Sequence, residues 1–316
     1  MKRSAMSPTI DVPEISVVIP CYNEEENVVA IAAAVAGELQ SVGATYEIIF
    51  IDNASTDRTV ELARGLCEAD LRVKLIVNNR NYGQMRSPTY GIYQTSGRAV
   101  IAMCADFQDT PSLVPIFIQR WRAGAAIALG VRASERAPAG VGLGRKIAYG
   151  FLSRFADYEV IPGATGFGIY DRRVVDALAE WREPEPFFRG MLVESGFPIE
   201  VIPYDRPDRA GGTSKNNFMS LLSFAISGLA SSSKSLLRMP LYVAAALVPV
   251  VAVTVLLGVL ASALGGDPGQ WLLALVVQVL FAVNFAFLGL IGEHVRLIAE
   301  RSRDTPLVIE NARYNF

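Results

Sequence analysis

The chain is 316 residues long with a formal net charge of −2 at pH 7, so no general basic field holds it to nucleic acid. Three cysteines, Cys21, Cys67 and Cys104, are too few and too scattered for a disulfide framework or a zinc site, and an odd number suits a reducing compartment. The single histidine, His294, excludes a Ser-His-Asp mechanism and, following a long apolar stretch, reads as a membrane-boundary residue.

Residues 1–13 lack the apolar core of a secretory signal and read as a flexible lead. From 14 to 215 strand and helix signals alternate, which predicts an α/β domain with a mostly parallel, Rossmann-like sheet covered by helices. Ile15–Ile19 is a strand stopped by Pro20, and a helix follows from Glu24 to about Val42 with Asn23 available as its cap. Tyr46–Ile51 is a second strand ending at Asp52, then come a helix over Asp57–Ala69 and a strand over Val73–Val77. A short helix spans Pro88–Thr95 and Ala99–Met103 is the fourth strand. Pro111–Arg122 is helical, with Pro111 suited to a first turn, and Ala125–Val131 is a fifth strand. A loop rich in Arg, Ala, Pro and Gly runs from Arg132 to Gly142.

The composition then changes. Over 216–238, Phe218, Leu221, Leu222, Ala225 and Leu229 recur at helical spacing, the pattern of a helix lying in a membrane interface; an ordinary core helix is the alternative. Residues 239–295 predict a transmembrane hairpin. Leu241–Leu264 is 24 residues without a charge, and Trp271–Gly292 is 22 more, both longer than the ~20 a spanning helix needs. The intervening loop carries Asp267 but no Lys or Arg, whereas Lys215, Lys234, Arg238, Arg296, Arg301 and Arg303 flank the spans. Positive flanks stay inside, which predicts an integral protein of the inner membrane with the large domain, both termini and the 296–316 tail on the cytoplasmic face. A buried hairpin of a soluble protein is the competing interpretation.

Ligands of an open parallel sheet bind beyond the carboxyl ends of its strands. Three such ends carry polar clusters: Pro20-Cys-Tyr-Asn-Glu-Glu25, Asp52-Asn-Ala-Ser-Thr-Asp57 and Asp106-Phe-Gln-Asp109. Carboxylates with a side-chain amide suit a hard cation such as Mg²⁺ or Mn²⁺. Neither a Walker loop nor a G-x-G-x-x-G is present.

These clusters, with Asn81-Tyr-Gly-Gln84, Gly130-Val-Arg132, Phe188-Arg-Gly190 and Arg209-Ala-Gly-Gly-Thr-Ser-Lys215, resemble family 2 glycosyltransferases of the GT-A fold. Within that family the likeness is to polyprenyl-phosphate glycosyltransferases, and it covers nearly the whole chain. The resemblance implies transfer of a sugar, with inversion, from a nucleotide-diphosphate donor to the phosphate of undecaprenol or dolichol. UDP-sugar is the first choice of donor and GDP-mannose the second. It implies a nucleotide site at Pro20, Tyr22, Glu24, Asp52 and Asp106, with Asp52 on the base. It implies metal ligation by Asp106 and Gln108, catalytic roles for Asp106, Arg132, Arg145 and Arg209, and an acceptor-phosphate site formed by those arginines with Ser214 and Lys215. Homo-tetramers occur among relatives of this two-span type.

Two positions depart from the family pattern. Cys104 stands where the family writes a first Asp, which weakens a hard-cation site unless Asp109 or water fills the gap. Gly163-Ala-Thr-Gly-Phe-Gly-Ile-Tyr-Asp171 lacks an acid before Phe167. The rival functions are a processive polysaccharide synthase, which needs more spans and a Gln-x-x-Arg-Trp motif, and a non-catalytic membrane partner of a transferase.

Overall fold

The computed structural model describes residues 12–132, 161, 163–205, 269–302 and 305–316. By internal contacts the chain divides into two units. The first comprises residues 1–144, 161–215 and 305–316, and the second 145–160 and 216–304.

The first unit is built on an eight-stranded sheet. In chain order it contains β1 (Ile15–Cys21), α1 (Val28–Ser41), β2 (Tyr46–Asp52), α2 (Thr59–Ala69), β3 (Val73–Asn78), α3 (Gly83–Tyr93) and β4 (Ala99–Ala102). A 3₁₀ turn (Pro111–Leu113) leads into α4 (Val114–Arg122), followed by β5 (Ile127–Arg132), β6 (Ala164–Asp171), α5 (Arg172–Ala179), α6 (Phe188–Glu194) and β7 (Ile199–Tyr204). The strand β8 (Glu310–Tyr314) completes it. The spatial order is β7-β5-β6-β4-β1-β2-β3-β8. Strands β4, β1, β2 and β3 run parallel, while β6 is antiparallel to both β4 and β5, and β8 is antiparallel to β3.

Alternation along the strands divides two apolar layers. Ile15, Val17 and Ile19 of β1 join Ile48 and Phe50 of β2 beneath Ile31, Val35 and Leu39 of α1 and Phe117 of α4. Val18, Ile49 and Ile51 face the other way, with Ile92 of α3, Val174 and Leu178 of α5 and Leu192 of α6. Nearly continuous Val/Ile runs are what a sheet covered on both faces demands. Helix α3 lies close to the sheet at Gly91, where a Cβ would come within 2.9 Å of Val18 Cγ1.

Several boundaries differ from the sequence reading. Strand β1 continues through Pro20 to Cys21. Val18 is the last β1 residue paired with β4, so Pro20, whose missing N–H faces that side, forfeits no ladder bond. Helix α1 starts at Val28 after Asn27; Asn23, the expected cap, is left-handed at φ 56° and its side-chain oxygen accepts Thr56 N instead. Helix α3 begins at Gly83 and carries Pro88 inside it. Packing of Ser87, Thr89, Gly91 and Ile92 holds this helix despite the lost hydrogen bond. The sequence pattern carries no signal for strands β6, β7 and β8, and Glu310–Tyr314, within the stretch expected as a cytoplasmic tail, pairs with β3.

In the second unit the described element is α7 (Gly269–Arg301), 33 residues long, which contains the whole of the expected span Trp271–Gly292. Among the described residues no helix is long and apolar enough to cross a membrane. The other expected span, Leu241–Leu264, and the interfacial helix over 216–238 lie outside the described residues.

Candidate active site

The register brings the three polar clusters to one rim. Cys21 at the end of β1 pairs with Asp52 at the end of β2, and Asp52 pairs with Val77 of β3. Next to them, the end of β4 opens into the loop carrying Asp106 and Gln108. Each of the three loops leaving β1, β2 and β4 contains one non-glycine residue in the left-handed region, Asn23 (φ 56°), Ala54 (φ 62°) and Phe107 (φ 59°). Such residues cost roughly 1 kcal/mol or more, and they persist where surrounding contacts fix them. Here the sharp turns let loop amides fold back on the carboxylates. Ser55 N donates to Asp52 Oδ2 at 2.9 Å, and Gln108 N donates to Asp106 Oδ1 at 3.2 Å.

Asp52 is 1% exposed, and its Oδ1 is buried with no hydrogen-bond partner. Burial pushes its carboxyl above the ordinary aspartate value; the Ser55 and Ala54 donors oppose the rise and the nearby Asp57 charge adds to it. For Asp57, burial pulls upward, but the Thr59 hydroxyl and the amides of Thr59 and Glu25 outweigh it and hold the carboxyl low. Cys21, buried beneath the rim near Asp52, has its thiol pushed well up by desolvation and stays protonated.

The β1 and β2 loops are knitted together. Asn23 N donates to Ser55 Oγ, Thr56 N to Asn23 Oδ1, Glu24 N to Thr59 Oγ1 and Arg58 N to Glu25 Oε2, at 2.8–2.9 Å. Tyr22 stands 38% exposed on this loop, and the Glu24 carboxylate receives the Asn27 amide at 2.7 Å. Pro20, Tyr22, Glu24 and Asp52 are therefore on one connected edge.

On the loop after β4 the structure separates the two aspartates. Asp106 is 7% exposed, so it is not the open surface carboxylate that a loop position suggests. Asp109, the expected substitute ligand, is 2% exposed, and it accepts Cys104 N at 2.9 Å and the Tyr204 hydroxyl at 3.1 Å. It holds the loop in place. Cys104 itself is exposed. Among the described residues no group of three or more His, Cys, Asp or Glu side chains could hold a metal ion. Asp106 and Gln108, the expected metal ligands, share this loop and are joined by the bond from Gln108 N to Asp106 Oδ1.

Arg132 closes β5 at the same rim, paired in register with Tyr204. Arg145, Arg209, Ser214 and Lys215 lie outside the described residues. Phe167, next to the expected acid, is fully buried and stacks edge-to-face between Phe117 and Tyr204 at 4.9 and 5.5 Å; it is a core position.

Sequence reasoning missed a second web around Asn53, the residue that follows Asp52 in the chain. Asn53 Oδ1 accepts Tyr82 N at 2.8 Å and the Asn78 amide at 3.2 Å, while its own amide donates to Asn81 Oδ1 at 2.9 Å. The motif Asn81-Tyr-Gly-Gln84 contains Asn81 and Tyr82, whereas Asn78 ends β3; nothing in the pattern reveals their common target.

The family model described as Glycosyl transferase family 2 matches residues 16–178. An uncharacterised glycosyltransferase of Synechocystis is 30% identical, with 94% of each chain covered. A bactoprenol glucosyl transferase of a Shigella phage is 29% identical over 95% of this chain and 99% of its own. Among solved structures, a mycobacterial protein shares the fold with a TM-score of 0.50 and 14% identity, covering 72% of this chain and 74% of that one.

Proposed function

The chain belongs to glycosyl transferase family 2, and from that footing we propose that it moves a sugar from a nucleoside-diphosphate donor to the phosphate of a membrane polyprenol, with inversion at the anomeric carbon. It is a glycosyltransferase. The observation that carries the donor half is the orphaned, buried Oδ1 of Asp52, on the same strand-end rim as Asp106. A buried acceptor left without a donor is costly, and a nucleobase ring N–H supplies what it lacks. Uracil is the first choice of base and guanine the second. The acceptor half draws on the near-complete alignment with the phage bactoprenol glucosyl transferase.

Pro20, Tyr22 and Glu24 line the nucleotide edge and orient the donor. Asp106 and Gln108 would hold Mg²⁺ or Mn²⁺, a hard cation that accepts few protein oxygens when diphosphate and water complete its shell. When bound, the ion supplies positive charge against that growing on the departing diphosphate. The Cys104 thiol is a soft donor and adds little to such a site. Arg132, with Arg145, Arg209, Ser214 and Lys215, is assigned to the acceptor phosphate, where a planar guanidinium fork binds two oxygens at once. A phosphate monoester has its second pKa near ~6 and is already an anionic nucleophile at neutral pH, so no general base is needed. Holding it in line behind the sugar is a positioning contribution.

Membrane residence follows from the acceptor. Each CH₂ drawn out of a bilayer costs ~0.8 kcal/mol, so the enzyme goes to its lipid. The two apolar segments and exposed Leu273, Leu288 and Ile291 on α7 support a hairpin in the inner membrane with the sheet domain on the cytoplasmic face. The test is transfer of radiolabel from UDP- and GDP-sugars to added undecaprenyl phosphate, with and without Mg²⁺ or Mn²⁺. A metal-dependent, lipid-extractable monosaccharide product is expected. Polymer, or no product with any donor, overturns the proposal.

A further inference from the structure

The segment that precedes β8 lies directly on the loop leaving β3. Arg86 Nε and Nη2 donate to the carbonyls of Leu307 and Pro306, both at 3.0 Å. Asn79 N donates to Ile309 O at 3.0 Å, and Ile309 N returns a hydrogen bond to the Tyr82 hydroxyl at 3.2 Å. That hydroxyl donates in turn to Asn79 Oδ1 at 2.8 Å. The Tyr82 ring is flanked by the guanidinium groups of Arg80 and Arg86, 4.1 and 5.3 Å from its centroid. Inward from Tyr82, its backbone N–H reaches Asn53 Oδ1 at 2.8 Å. Asn53 is buried and adjoins Asp52 in the chain.

We propose that the C-terminal segment is a working part of the donor site, with Tyr82 as the positioning residue that links Ile309 through Asn53 to Asp52. The inference rests on the donor reading above. Its physical basis is that the Asn53 side chain takes one of its two donors, Tyr82 N, and both of its acceptors, Asn81 Oδ1 and Gly83 O, from the Asn79–Gly83 loop, and that loop is closed from outside by the Ile309 backbone. A strand that merely covered the edge of β3 would add stability without discriminating between donor and acceptor. A strand coupled to Asp52 must, by linkage, be ordered further when nucleotide binds.

The experiment uses the full chain in detergent, with UDP and GDP as calorimetric probes and hydrogen exchange over 305–316 as the structural readout. Tyr82→Phe keeps the ring and removes only the hydroxyl. It removes the bonds to Ile309 N and Asn79 Oδ1 and is expected to weaken nucleotide binding about three- to tenfold, with only a small fall in the apo melting temperature because both bonds lie at the exposed surface. Nucleotide should raise protection of the β8 amides in the wild type and not in Tyr82→Phe. Ile309→Pro deletes the other end of the same link, so the double variant should bind no more weakly than Ile309→Pro alone. Wild-type affinity in Tyr82→Phe, or additive losses in the double variant, overturns this inference and leaves the donor reading standing. A wild type that binds neither UDP nor GDP overturns both.

Discussion

Tyr204 donates its hydroxyl to Asp109 Oδ1 at 3.1 Å, tying the end of β7 to the loop that carries Asp106. The same carboxylate receives Cys104 N through its other oxygen. Burial, with the Asp109 charge beside it, pushes the Tyr204 phenol up to about 12, so the residue remains a donor at any physiological pH. Tyr204→Phe takes one donor from a buried carboxylate, which costs about 1–3 kcal/mol. We expect a lower melting temperature together with a raised Mg²⁺ or Mn²⁺ requirement in the transfer assay. An unchanged metal titration would separate β7 from the loop that carries Asp106.

Asp52→Asn should trade function for stability. Burial holds the folded-state pKa above the ordinary value of 3.8, so at neutral pH the charge on Asp52 opposes folding. The stabilising contribution of the protonated group is present below 3.8 and is lost as pH rises through the folded value. The Asn variant should therefore melt higher than wild type at pH 7, and the two should converge as pH falls. Its nucleotide affinity should drop at least about tenfold, the share of a hydrogen bond to a charged group. Calorimetry and melting curves across pH measure both.

Asp106→Asn keeps an oxygen for Gln108 N, so the loop should survive while the proposed cation site loses its carboxylate. A fall of about 10²- to 10³-fold in transfer is expected, in line with removing one electrostatic stabiliser of a transition state. Cys104→Asp adds an exposed carboxylate without disturbing the Cys104 backbone bond to Asp109. Half-maximal activation by Mn²⁺ should then move to lower concentration.

At the opposite end of the parallel strands, Glu47 is 3% exposed and binds Lys74 Nζ at 2.7 Å, Ser16 Oγ at 2.6 Å and Ser96 N at 2.7 Å. Burial works to raise its pKa, but those donors outweigh it and leave it low. Its stabilising contribution is present above the unfolded value and lost as pH falls through the folded one. Lys74→Met leaves a buried carboxylate uncompensated and should cost about 3–5 kcal/mol with donor affinity unchanged. Chemical denaturation with nucleotide titration checks the pair.

The first five strands were legible because each is a run of Val, Ile or Leu buried on both faces. The others broadcast less. β6 is interrupted by Gly166 and Gly168, β7 is an edge strand containing Pro203, and Glu310–Tyr314 offers one small apolar residue among polar ones. Their pairing is carried by backbone groups, which leave no hydropathy pattern. At the site, residue types announced the carboxylates, but division of labour depended on partners distant in sequence. Tyr204 lies 95 positions from Asp109, and only the fold turns Asp109 inward while leaving Asp52 Oδ1 without a donor.

The eighth strand also sets an order of events during synthesis. Arg86 and the Leu307 carbonyl it holds are separated by 221 positions, and all of α7 is translated in between. A chain made from its N-terminus emerges with the outer side of β3 bare, an open template for mispairing until Glu310–Tyr314 leaves the ribosome. Maturation of the catalytic half is thereby made to wait for the helix that precedes its last strand.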